Sequence, residues 1–486
     1  MQCCLPVKGR WQVMLCFIGS FYFAFDEVGA SQTQTDVVLQ QSRIVQWKHE
    51  LKDLEQHGIS LSPAEQLLLK KNDEGAIRQL VIRYARFMDT GQINKDQFQP
   101  EWMVQDKPSE YRVDDMNPRE VFNRLAPQWP AYRLLQQHLL RLQQWSRQSA
   151  QLIPEYLILP ENGQHPALEL LGKWLVDLGL LNSLPVSHFS ALHKKVLVRF
   201  QQYVGLPVSG QLTAETRRHL LLLTHKRIST LKINMERLRW LPQSLPYPHV
   251  QVDIAGYQAL IVKNSRQEHR YSVIVGSPGN PTPVFEDTIK SVTVNPSWTV
   301  PPMLAKNRLL EKEKEQPGYL AQQGFVVYGS WAPGAQRYDP ETIKWSTFDA
   351  QTFSFKLVQK PGPYNSLGHY KLNLSNPFHV YLHDTDKPAL FRHGIRALSA
   401  GCVRVKDISV FIHRLLQLQG IAVNLNNFAL SGQTLKLAFR QAVPVFFLYF
   451  TAWPDEHGSI RFRDDIYGWD RQLLAVVNRH MTAKLP

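Results

Sequence analysis

Phe378-His379-Val380-Tyr381-Leu382-His383-Asp384-Thr385 alternates apolar residues with polar aromatics, and Ser399-Ala400-Gly401-Cys402-Val403-Arg404 follows a short way on. A period of two predicts a strand over 378–383, with successive side chains on opposite faces. Phe378, Val380 and Leu382 then enter the core, and His379, Tyr381 and His383 share the other side. That polar aromatic row reads as the wall of a site; a half-exposed strand is the plainer alternative. Cys402 lies 19 positions after His383, enough chain for a loop that returns to the strand. A free thiol is only about 3% thiolate at pH 7, so a cysteine nucleophile needs a nearby imidazole. Gly401 permits close backbone approach, and N–H groups around Cys402 can serve a tetrahedral oxyanion. Arg404 offers a planar fork of donors to a carboxylate.

Upstream of this pair the same two-residue period appears at His249–Ile254, Tyr257–Lys263, Arg270–Gly276 and Thr288–Val294. These predict a mostly β domain over 249–425. It carries an insert at about 303–363 that opens with a charged helix, Asn307–Glu315, and closes at Pro361-Gly362-Pro363. Two further strand-like runs, Val443–Thr451 and Ser459–Arg463, predict a C-terminal strand extension over 426–486. Residues 31–167 read as a helical scaffold, from apolar residues at helical spacing in Val37–Leu54, Ala64–Met88 and Tyr132–Leu152. Residues 168–223 read as a three-helix unit, with Gly179 and Gly205 as helix stops and Thr213 opening the third helix. The basic stretch Arg217–Trp240 carries leucines at helical spacing. It predicts an amphipathic helix with a solvated basic face and a helical linker over 224–248. The fold class is therefore α+β and multidomain.

The N-terminus bounds the compartment. Lys8 and Arg10 precede the uncharged apolar run Trp11–Phe25, and Val28-Gly29-Ala30 suits cleavage, so residues 1–30 read as a signal peptide or an anchor. Three of the four cysteines, Cys3, Cys4 and Cys16, fall within that segment, which leaves Cys402 as the single thiol of a processed chain. The net charge of +14 is untouched by removing residues 1–30, since Lys8 and Arg10 balance Asp26 and Glu27. Such a balance asks for an anionic partner. Nucleic acid satisfies the charge but not the export signal, whereas anionic envelope polymers satisfy both. The spacing of His, Cys, Asp and Glu contains no metal-binding motif and no cofactor motif.

His-x-Thr followed by Ser-x-Gly-Cys-x-Arg resembles the signature of the L,D-transpeptidase family, with its YkuD-type catalytic domain. Val273-Ile274-Val275-Gly276, Thr282-Pro283-Val284-Phe285, Asn295-Pro296-Ser297-Trp298, Met235-Glu236-Arg237-Leu238-Arg239-Trp240, Pro361-Gly362-Pro363 and Phe462-Arg463-Asp464-Asp465 are similar to that family's large periplasmic branch. Residues 198–216 resemble a peptidoglycan-binding domain, with Ser209 where that family often has Asp. The resemblance implies a helical scaffold, an embedded peptidoglycan-binding module, and a β-rich catalytic domain whose insert caps the substrate. It further implies Cys402 as nucleophile, His383 as base, and Tyr381, Ser399, Gly401 and Arg404 as substrate or oxyanion residues. The implied reaction is acyl transfer without cofactor, from a peptidoglycan tetrapeptide stem to the third-position diamino acid of another stem. Water as acceptor would make the protein an L,D-carboxypeptidase. Carbapenems would be inhibitors, the periplasm the location, and other cell-wall synthesis enzymes candidate partners. Ala400 departs from the His that many relatives carry there. The rival readings are a non-catalytic peptidoglycan-binding envelope protein and a papain-like hydrolase, and the latter places Cys before His.

Overall fold

The computed structural model describes residues 41–98, 102–104, 117, 120–182, 188–264 and 267–482. The expected signal segment, with Cys3, Cys4 and Cys16, lies outside them. Cys402 is the free cysteine among the described residues.

The N-terminal half is helical for reasons written locally. Ser62 accepts from the Glu65 N–H while Glu65 returns a bond to the Ser62 N–H, which caps the helix Pro63–Lys71 at both orphan donors. Asp73 caps Glu74–Thr90 in the same manner, through the Ala76 N–H. The helix Pro130–Leu152 buries Tyr132, Leu135, Leu139, Leu142 and Trp145, a stripe at spacings of three and four. Behind it, the helices Ala167–Asp177 and Ala191–Val204 end where glycine was expected to stop them, with Gly205 at φ 73°. Gln201 is fully buried between the second and third helices. Its amide bonds Ser209 Oγ (3.1 Å), the Gln211 carbonyl (3.0 Å) and Thr216 Oγ1 (2.9 Å). Ser209 thus accepts from Gln201 and from the Gln211 N–H (3.2 Å), so a hydroxyl serves the turn here.

The helix expected over Arg217–Trp240 is present, and one expectation about its face fails. The third helix, capped by Thr213, runs unbroken as Ala214–Arg239 into the span expected to be a helical linker. Its basic face is not wholly solvated, however, because Arg237 and Arg239 are buried. Arg239 Nη1 donates to Glu236 (2.8 Å), and Nη2 reaches the His57 carbonyl and the Tyr132 hydroxyl. Glu236 also accepts from the Gln92 and Ile93 N–H groups, so the pair is surrounded by bonds that repay its desolvation.

The β domain is one nine-stranded sheet: β1 (His249–Asp253), β2 (Gln258–Asn264), β3 (Gln267–Gly276), β4 (Phe285–Val294), β9 (Tyr370–Asn373), β10 (Leu382–His383), β11 (Ala397–Ser399), β12 (Val403–Val405) and β13 (Leu435–Leu448). Their order is β11-β3-β12-β10-β9-β4-β13-β1-β2, and pairing of β2 with β3 closes the sheet on itself. The expected extension at 426–486 is corrected by this order. β13 lies between β4 and β1, antiparallel to the first and parallel to the second, and the Phe447 ring stacks on Phe285 at 4.3 Å. The insert holds β5 to β8 (Trp298–Thr299, Phe325–Tyr328, Arg337–Tyr338 and Lys356–Gln359) in a separate four-stranded sheet. Leu310, Leu320, Val327 and Leu357 give it a core of its own. The tail adds the hairpin β14 (Ala452–Pro454) and β15 (Ile460–Phe462), then the helix Trp469–Thr482.

His138, on Pro130–Leu152, uses both ring nitrogens: Nδ1 faces Arg141 Nη2 at 2.8 Å and Nε2 faces the Asp177 carbonyl at 2.7 Å. Nδ1 must accept from the guanidinium, so a second proton has no place; burial and Arg141 push the ring down to about 4. Between about pH 6.5 and pH 4 the unfolded ring therefore binds a proton that the folded ring refuses, and stability falls as pH drops through that window. Urea titrations across it should show a shallower pH slope for His138→Gln than for the parent chain.

Candidate active site

β9, β10 and β12 lie side by side. His383 pairs with Lys371 on one neighbour and with Arg404 on the other. Leu372, Leu382 and Val403, their partners in the next register row, are buried in the core. Lys371, His383 and Arg404 consequently share the opposite face of the sheet. Cys402, one residue before β12, falls on that face too, beside Tyr381, because the Val403 N–H bonds the Tyr381 carbonyl at 2.9 Å.

His383 is buried, and its Nδ1 has no hydrogen-bond partner. Burial, with the Arg404 and Lys371 charges, pushes its pKa down to about 3, so the ring is neutral near pH 7 and can accept a proton. Burial pushes the Cys402 thiol up; the Tyr381 backbone and the Lys371 and Arg404 charges pull the other way. Cys402 Sγ points at the His379 carbonyl, 3.7 Å away. Arg404 gives Nη1 to Thr385 Oγ1 (3.2 Å) and leaves Nε without a partner. Its pKa is lowered by burial, and the charges of Asp386 and, from the insert, Arg308 act on it. The insert's first helical turns thus reach the edge of the site.

The loop that presents Cys402 is held from several sides. Gly401 has φ 112°, which a side chain would strain. Ser399 Oγ donates to the Cys402 carbonyl (2.5 Å) and accepts from the Gly401 N–H (3.2 Å). That hydroxyl is spent on shaping the loop. Thr282 Oγ1 donates to the Gly401 carbonyl at 2.7 Å and accepts from the Gly276 N–H at 2.9 Å. Behind it, the Tyr467 hydroxyl donates to the Gly276 carbonyl (2.8 Å) and receives the Thr282 N–H (3.2 Å).

The structure brings Tyr381, His383, Ser399, Gly401, Cys402 and Arg404 together. It corrects the strand over 378–383: only Leu382 and His383 are in β10, and His379 has φ 56°. The side-chain amide of Asn376 bonds both backbone groups of Val380 (2.9 and 3.1 Å), and this turn replaces the ladder. His379 is therefore exposed and not on a shared strand face with His383. Lys371, Thr282 and Tyr467 were missed. Thr282 lies inside a quoted motif, and alternation in Tyr370-Lys371-Leu372-Asn373 marks Lys371 as facing away from the core. Among the described residues one group could hold a cation: His49, Glu50 and Asp53, with ligand atoms within 4.8 Å of one another. It is one turn of the helix at 41–53 and includes nothing from the Cys402 loop.

Residues 247–419 match the family model of the L,D-transpeptidase catalytic domain, YkuD. Over that span the chain is similar to YkuD-type L,D-transpeptidase catalytic domains. Residues 164–220 match a second family, described as "Putative peptidoglycan binding domain". A Haemophilus influenzae protein named "Putative L,D-transpeptidase" is 34% identical over 256 residues, which is 52% of this chain and 51% of the relative. The chain thus aligns with about half the length of that relative. The crystal structure of an L,D-transpeptidase (residues 123–326) from Xylanimonas cellulosilytica is similar at 12% identity and TM-score 0.18, over 61% of this chain and 98% of that one. A likeness that low bears no weight. Within residues 247–419, then, a thiol, a neutral imidazole and two cations meet on one sheet face.

The Thr282 hydroxyl is buried and bonded twice, so its loss strands the Gly276 N–H and the Gly401 carbonyl at a cost of about 1–3 kcal/mol each. Thr282→Val should lower unfolding stability by about 2–6 kcal/mol for the two groups together, and Thr282→Ser should retain most of it, as measured by urea denaturation.

Proposed function

We propose that this chain is an L,D-transpeptidase that cross-links peptidoglycan between third-position diamino acids, with Cys402 as nucleophile and His383 as general base. The observation that carries the reading is a free thiol on the same sheet face as a neutral, buried imidazole whose Nδ1 has no partner. It occurs within residues 247–419, which match that family's model.

The chemistry follows from these groups. The Cys402 S–H bond breaks and its proton passes to the His383 ring. The sulfur attacks the carbonyl that joins the third stem residue to the terminal D-alanine, and backbone N–H groups near Gly401 and Cys402 receive the developing oxyanion. The carbon–nitrogen bond breaks, the imidazolium protonates the departing D-alanine, and a thioester remains. The side-chain amine of a second stem attacks that thioester and gives its proton back to His383, and the thiolate leaves. Arg404, on the same sheet face, is the donor for a substrate carboxylate. In this reading the chain works in the periplasm, brought there by residues 1–30 as signal or anchor, and its +14 charge faces anionic wall polymers.

Incubation with tetrapeptide-rich peptidoglycan, followed by mass analysis of the muropeptides, should give third-to-third dimers with loss of D-alanine. Tripeptides without dimers would make it a carboxypeptidase, and unchanged muropeptides a wall-binding protein only. Cys402→Ala should abolish the product and also the mass added by a carbapenem. His383→Ala should slow both by about 10²–10⁴, whereas the exposed His379→Ala should be mild.

Wall affinity is proposed to reside in the peptidoglycan-binding module. Deleting 168–223 would cut the helix Ala214–Arg239, so a point change is the cleaner test. Tyr203 is 79% exposed at the end of Ala191–Val204, a rigid amphipathic ring suited to stacking on a glycan. Tyr203→Ala should reduce co-sedimentation with purified sacculi while leaving carbapenem acylation of Cys402 unchanged.

A further inference from the structure

Lys371 is a half-buried cation for which no carboxylate partner exists among the described residues. Its ammonium lies 3.6 Å from the centroid of the Tyr381 ring. Tyr381 in turn lies beside Cys402, its carbonyl accepting from the Val403 N–H at 2.9 Å. We propose that Lys371 is the electrostatic partner of the Cys402 thiolate, held toward the sulfur by the face of Tyr381. The proposal rests on the transpeptidase reading and deepens it by assigning the charge that the nucleophile needs.

Taking an ammonium out of water without a counter-ion is unfavourable, and an aromatic face repays only part of that. A methionine would fill the same space on β9 more cheaply. Lys371 is thus held at a loss unless an anion forms in front of it during the reaction. The anion available is the thiolate. His383 cannot supply positive charge at rest, because its burial between Lys371 and Arg404 keeps it neutral.

The other charges around the sulfur leave this role open. Arg404 faces it from β12 but is tied to Thr385 and shares the field of Asp386. Lys436, from β13, acts on Lys371 from its far side, and Arg308, from the insert, acts on Arg404. Tyr381 has its own ionisation pushed up by burial and by the thiol, so it remains a neutral platform. No carboxylate acts on the thiol directly. The direction of the Lys371 influence agrees: it lowers the thiol, and the thiol in turn raises Lys371 against burial. In the step itself the Cys402 proton moves to His383, and the charge left on sulfur faces Lys371. The fixed cation thereby favours thiolate without contributing a proton.

The test is the rate of iodoacetamide alkylation of Cys402 between pH 6 and pH 10, in the full chain, for the parent, Lys371→Met, Lys371→Gln and Lys371→Arg. Both neutral variants should shift the midpoint upward by about one pH unit and slow alkylation at pH 7 about tenfold. Lys371→Arg should restore most of the midpoint. Carbapenem adduct formation at pH 7 should fall in parallel. A midpoint that is unmoved or lowered in whichever neutral variant keeps its fold overturns the proposal. Equal loss of adduct in Met and Arg variants with no change in midpoint also overturns it, since that pattern belongs to shape and not to charge. If the parent chain alkylates normally yet forms neither adduct nor cross-link, the transpeptidase reading fails, while the alkylation midpoints still decide the role of Lys371.

Discussion

The side chain of Arg237 has no solvent exposure, and the join between the helical half and the sheet is organised around its charge. One terminal nitrogen meets Asp470 Oδ1 at 2.5 Å, and the guanidinium lies 5.1 Å from the Tyr449 ring centroid. Nε and Nη2 have no partner, so the pairing with Asp470 carries most of the compensation for a charge taken out of water. Asp470 is fixed in turn by Thr451, which also exchanges bonds with Asn234 one turn earlier on the Arg237 helix. Asp465 receives the Asp470 N–H and the Tyr449 hydroxyl, and the Tyr467 N–H rests on that same hydroxyl. Tyr467 then braces Gly276 and Thr282, and Thr282 holds Gly401. A continuous set of bonded groups thus runs from a buried arginine in the scaffold to the residue before the candidate nucleophile. The scaffold and the tail are part of the apparatus that shapes the loop.

Much of this architecture was legible because local signals agreed with the final structure. Helix stops at Gly205, the cap at Thr213 and alternation in β1 to β4 all depend on neighbours within a few residues. What was not legible depended on partners far away in sequence. A row of arginines on a helix looks solvated until His57, Tyr132 and Asp470 arrive to pair with Arg237 and Arg239. The run Val443–Thr451 has the pattern of a strand, but nothing local says that it separates β4 from β1.

The site divides in the same manner. Cys402, His383 and Arg404 could be named from residue chemistry and from the family they resemble, and the structure brings them to one face. His379 leaves the face that alternation would share with His383, and the cause is local. Asn376, just before Pro377, offers its amide to both backbone groups of Val380, a local bond that competes successfully with the sheet ladder. Lys371 escaped notice because a lysine in a short strand reads as solvated until its two neighbouring strands are known.

The place of β13 bears on the order in which the molecule can be made. β1 and β4 are complete by residue 294, yet neither has its shared neighbour until Leu435–Leu448 has been synthesised. Closing so long a loop is entropically slow, and until then β4 and β1 each offer an unpaired edge. The brace on Gly401 comes later still, since it needs Tyr467. During biosynthesis the thiol of Cys402 therefore emerges before its loop is supported. A nascent chain should consequently pass through a stage in which it holds every candidate catalytic residue without the frame that aligns them. Such a delay confines thiol reactivity to the finished fold, and it makes strand edges, more than the thiol, the feature a chaperone would need to cover.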